Sequence, residues 1–157
     1  MRLQQYIARV EELKALVDLY EQMSGKYAQV SAYQASTAAN PDVTEEQRTQ
    51  LAASVTQLGT QRAALETLLT ERTGASDIDT AIERFHAHLA RLETYSNIRR
   101  EQLQMRTSLD LELHLGTVPP ETRQQAETSL DDMQTRLDGL LVLAEKSLPA
   151  PRVVLLS

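Results

Sequence analysis

Glu83 and His86 stand three apart, the spacing that turns two ligand-bearing side chains toward one side of a helix. In helical bundles, Glu-x-x-His segments of this kind work in pairs to hold two metal ions. The second copy is missing here, because Phe85 precedes His88 and Leu111 precedes His114 at the corresponding position. The expectation is no metal role, with Glu83 and His86 solvated at the edge of a face marked by Phe85. His86 and His88 are two apart, so a helix turns them to opposite sides and they do not readily share one ion.

Other chemistries find still fewer residues. The chain has no cysteine, which removes disulfides, thiolate metal sites and a cysteine nucleophile. Its five glycines are scattered singly, so no loop can bring a run of backbone amides against a nucleotide phosphate. No Gly-x-Ser-x-Gly elbow is present to expose a serine nucleophile. The acidic pairs Glu11-Glu12, Glu45-Glu46 and Asp131-Asp132 are neighbours in helical sequence and diverge into solvent. Without a nucleophile, a base and a group to orient them, the chain is expected to be no enzyme and to need no cofactor.

Residues suited to contact are easier to find. Tyr6, Tyr20 and Tyr27 recur at multiples of seven with Leu13 between them, and Tyr33 follows. Such a stripe serves either the rim of a helical seam, where the ring is buried and the hydroxyl reaches water, or an aromatic binding face. The second candidate is the end of the sequence, where Pro149-Ala150-Pro151 leads into Arg152 and the apolar run Val153, Val154, Leu155 and Leu156. That run could add a strand to a partner, fill a groove, or fold back on its own chain.

Charge narrows the partner. Sixteen Lys and Arg stand against 22 Asp and Glu, a net charge of -6, which disfavours phosphate backbones as ligands. Arg84, Arg91, Arg99, Arg100 and Arg106 could form a local basic patch, but Glu83, Glu93 and Glu101 are interspersed. Nucleic acid and small molecules are not expected as ligands; another protein or copies of the chain itself are. Met1 to Gln5 run directly into amphipathic sequence, and no window approaches the roughly 20 apolar residues that cross a bilayer, so a cytoplasmic protein is expected.

The elements that must position these residues are four helices. Leu3, Val10 and Val17 interleave with Tyr6, Leu13, Tyr20 and Tyr27 as the two apolar positions of a heptad, flanked by Ile7, Leu16, Met23 and Val30. Pro41 stops this helix, and Thr44-Glu45-Glu46-Gln47 has the capping-box pattern that opens the next. Leu51, Leu58 and Leu65, with Val55, Leu68 and Leu69, mark the second helix, and Gly74 offers a left-handed terminator. Ser76 or Asp77 caps the third, whose core series reads Ile78, Ile82, Phe85, Leu89, Leu92, Tyr95 or Ser96, and Leu103.

From Leu109 to Leu115 leucines alternate with polar residues, the period of a strand. Leucine and glutamate favour helix, which is therefore expected to run to Leu115, a local strand being the alternative. Pro119-Pro120 opens the fourth helix, with Leu130, Met133, Leu137, Leu140 or Leu141, Ala144 and Leu148 inward. Val142 and Leu143 widen that face and suggest more than one neighbour.

Helices over about 3–37, 44–73, 77–115 and 120–148 would form one domain, 1–148, followed by a linker and tail, 149–157. The expected fold is all-α: an elongated antiparallel four-helix bundle, or a pair of coiled-coil hairpins that completes its core by self-association. In size, acidity and helicity the chain is similar to the small export chaperones of flagellar and type III secretion systems, a likeness of format that carries no functional position. The functional expectation is a non-catalytic adaptor, chaperone or assembly factor. A structural subunit of a secretion appendage or virus particle is the alternative, with a helical metal protein or enzyme behind it.

Overall fold

The computed structural model describes residues 2–149, and the tail candidates Val153, Val154, Leu155 and Leu156 lie outside them. The fold is all-α: α1 spans Arg2–Thr37, α2 Glu45–Thr73, α3 Ile78–Leu115 and α4 Pro120–Ser147. The helices pack antiparallel, with no strand among the described residues. At a rise of 1.5 Å per residue, the 38 residues of α3 reach about 57 Å.

Local chemistry sets the ends. Thr44 Oγ1 accepts from the Gln47 amide at 3.2 Å while Gln47 Oε1 accepts from the Thr44 amide at 3.0 Å, the reciprocal cap expected from the sequence. Gly74 takes the left-handed conformation, φ 71°, and closes α2. Arg84 donates to the Thr73 carbonyl at 3.0 Å, placing a cation where the helix dipole leaves partial negative charge. Asp77 is the cap of α3: its Oδ1 accepts from the Thr80 amide at 2.7 Å. That bond, made to the ionised form, holds the Asp77 carboxyl below its usual range. Pro120 is the first residue of α4, as its missing amide proton allows.

The contacts gather into two compact units. In the first, the segment of α1 up to Val10 lies with His86–Leu148. Tyr95, Ile98 and Leu137 form its buried cluster, on which Leu3, Met133, Leu140 and Leu141 pack. Leu137 is 1% exposed, which at the usual transfer energy is about 1.5–3 kcal/mol of burial. The pairs Arg91–Ser147 and Gln102–Gln134 show α3 and α4 running in opposite directions.

In the second unit, Glu11–Phe85, α1 and α2 form an antiparallel hairpin. Its register is fixed by Glu12 against Arg72, Tyr20 against Glu66, and Ser24 against Arg62. Leu13, Val17, Tyr20, Leu69, Thr73, Ala81 and Phe85 are buried in this unit.

The alternating leucines of α3 resolve as helix. Leu109 is buried and Leu113 half-buried, four apart, whereas Leu111 and Leu115 are 60% and 64% exposed. Four positions depart from the expectation. Leu89 and Leu103 do not face the core, and Val142 and Leu143 project outward rather than toward a second neighbour. The inward series of α3 is Ala81, Phe85, His88, Tyr95, Ile98 and Leu109, a near-3.5-residue repeat that passes one position ahead of Leu89.

Candidate functional site

The tyrosine stripe divides between the two units. In the first, Tyr6 is 5% exposed and its hydroxyl lies 2.8 Å from His88 Nδ1, the two rings edge to face. Burial pushes the Tyr6 phenol above its ordinary pKa, with the nearby Arg91 guanidinium opposing the shift, so it keeps its proton. Arg91 Nη1 lies 3.5 Å from the same histidine nitrogen, and a guanidinium can only donate. Arg91 also donates to Ser147 Oγ at 2.8 Å, which in turn donates to the Ala144 carbonyl. The chain of bonds therefore ties α1, α3 and α4 together through polar atoms.

In the second unit, Arg62 of α2 is the hub. Its guanidinium carbon lies 5.5 Å from the Tyr20 ring centre and 5.8 Å from that of Tyr27, within cation–π range of both. Arg62 Nε donates to Ser24 Oγ at 3.0 Å and Nη2 to the Tyr20 hydroxyl at 3.2 Å. Tyr20 passes its own proton toward Glu66 Oε1 at 2.9 Å. Gly59 makes room for the neighbouring ring, since a Cβ there would stand 3.2 Å from Tyr27 Cε2. Tyr20 is buried, Tyr27 half-buried, and Tyr33 is 60% exposed. Of the four tyrosines named as a contact face, only Tyr33 offers most of its ring to solvent.

Glu83 and His86 are both exposed, and no group of three or more His, Asp or Glu side chains among the described residues is placed to hold a metal ion. The five arginines of α3 do not act as one group. Arg84 and Arg91 are engaged separately, each inside its own unit, whereas Arg99, Arg100 and Arg106 are exposed. A shallow groove in the first unit is lined by Glu101, Gln104, Met105, Ser108 and Met133, with Ser108 its one hydroxyl and Glu101 its one ionisable group.

Two features escape the reading of the sequence. His88 is 2% exposed, a core residue, and the signal was its place three after Phe85 and seven before Tyr95. Outward leucines are the other: Leu103, Leu111 and Leu115 on α3 are all more than half exposed, and Leu143 on α4 is 54% exposed. Compared with known families, curated proteins and solved structures, the chain matches none, so no relative assigns a role to any of these residues. No helix among the described residues is long and apolar enough to cross a membrane.

Proposed function

We propose that the protein is a non-catalytic helical binding protein, an adaptor, chaperone or assembly factor acting in the cytoplasm through a helix face, its C-terminal tail, or both. One observation carries the reading: Leu103, Leu111 and Leu115 present more than half of their surface to water. Scattered exposed leucines are ordinary, but three on one helix in the same unit, with Val142 and Leu143 also outward on α4, offer apolar surface suited to a protein partner. Tyr6 and Tyr20 are committed to internal hydrogen bonds and add nothing to that surface.

The test is recovery of a partner by the tagged full chain from its native source, followed by direct titration of that partner. Replacing Leu103, Leu111 and Leu115 together by serine should abolish binding while helix content stays unchanged. Removing Arg152 to Ser157 should do so if the tail is the hook. A partner bound equally well by both altered chains would overturn the reading.

A further inference from the structure

The hairpin of the second unit changes character along its length. Up to Tyr20 on α1 and from Leu69 on α2, the inward side chains Leu13, Val17, Tyr20 and Leu69 are buried. Between those points Thr37 is the only buried residue, while Met23, Tyr27, Val30, Leu51, Val55 and Leu58 are half-buried. They hold the inward spacing of a coiled coil, yet two helices alone cannot enclose them.

Charge changes at the same place. Tyr27 to Pro41 contains no Asp, Glu, Lys or Arg, and neither does Thr49 to Gln61, in a chain where charged residues are 24%. The hairpin register, carried forward from Ser24–Arg62 and Tyr27–Gly59, sets these two stretches side by side. A solvent-facing helical arm ordinarily carries charge, whereas the centres of protein interfaces are depleted of it. Tyr33, 60% exposed, stands on this arm.

We propose that this arm, from Ser24 to Arg62, is a self-association surface and that its occupant is the same arm of a second copy. Two hairpins meeting across a two-fold axis would turn a pair of half-open seams into a four-helix core around Met23, Val30, Leu51, Val55 and Leu58. Charge selects the occupant. Identical charged faces set like against like, and a net charge of -6 on each copy adds a net repulsion between the two. The two uncharged stretches of the arm, Tyr27 to Pro41 and Thr49 to Gln61, are where that repulsion is least. An unlike partner is commonly selected by complementary charge, and here there is none to read. The inference is independent of the function proposed above, since the arm could pair whatever else the chain binds.

Sedimentation equilibrium of the full chain over a wide concentration range tests it. A dimer is expected, twice the 17.6 kDa of the chain, its share rising with concentration. Val30→Lys combined with Val55→Lys should leave a monomer. Because that pair could also loosen the hairpin, Tyr33→Arg provides a second variant at a mostly solvated position, expected to weaken association about tenfold or more with an unchanged circular dichroism spectrum. The chain has no cysteine, so Tyr33→Cys should form a disulfide-linked dimer under mild oxidation much faster than Leu103→Cys, an exposed control in the other unit. A wild-type chain that stays monomeric at every concentration, a dimer indifferent to both the lysine pair and Tyr33→Arg, or equal cross-linking at the two cysteines would each overturn the proposal.

Discussion

The Tyr6 hydroxyl and Nδ1 of His88 share a hydrogen bond of 2.8 Å across 82 positions of sequence, and both residues are buried. The bond joins the first turns of α1 to the N-terminal third of α3 through a polar contact inside an apolar face, where a lost partner is felt more than at the surface. Tyr6→Phe should lower stability by about 1–2 kcal/mol in urea unfolding. Combined with His88→Leu, the loss should be smaller than the sum of the single changes, since apolar groups of similar shape then fill both sides. Strict additivity in that cycle would show that the two residues do not act as a pair.

The same tyrosine gives an alkaline signature. Its folded pKa is raised above the ordinary value of 10.0, so its contribution is complete below that pH and is lost as pH climbs through the higher folded value. Asp77 acts in the opposite sense. Its folded pKa lies under 3.8, so its contribution is complete above that value and disappears as pH falls through the lower folded one. Midpoints of thermal unfolding measured against pH should decline at both extremes, Tyr6→Phe flattening the alkaline limb and Asp77→Asn the acidic one.

Leu137 and Leu103 are chemically identical and face opposite fates. Leu137→Ala removes a side chain from the Tyr95–Ile98 cluster and should cost about 2–5 kcal/mol. Leu103→Ala, at a position 55% exposed, should stay within about 0.5 kcal/mol. Equal losses in chemical denaturation would contradict the inward series assigned to α3.

Helix punctuation can be tested with two single changes. Thr44→Ala deletes the hydroxyl side of the capping box and should cost about 1 kcal/mol. Gly74→Ala forces a Cβ into a left-handed residue, at about 1–2 kcal/mol, and sets that carbon 3.2 Å from the Pro149 ring. Local hydrogen exchange at the start of α2 and at its end, respectively, should report each change.

Arg62 distinguishes a shaped cation from a charge alone. Arg62→Lys keeps the charge but loses the planar fork that spans Ser24 Oγ and the Tyr20 hydroxyl, and should still cost roughly 0.5–1 kcal/mol. The Arg62–Glu66 ion pair adds little, because both side chains are more than a third exposed and water screens them. Full rescue by lysine would mean that the geometry around the guanidinium is incidental.

The sequence by itself determined the helices and their ends, because those depend on groups a few residues apart. Pro41, the Thr44–Gln47 box, Gly74, Asp77 and Pro120 each act on the adjoining backbone, and every one stands where its local chemistry requires. Even the leucine alternation before Gly116 was decided by intrinsic helix preference.

Tertiary structure alone decided which face of each helix turns inward. A stripe three or four residues wide can rotate by one position with little local cost, so Leu89 and His88 compete for the core and only the neighbours across the interface choose His88. The tyrosines show the same division. Their heptad spacing was visible, but Tyr6 meeting a histidine, Tyr20 and Tyr27 flanking an arginine, and Tyr33 left in water all follow from partners distant in sequence. Hydrogen bonds and ring contacts act over a few ångströms of space, and no local spacing along the chain encodes which distant residues come that close.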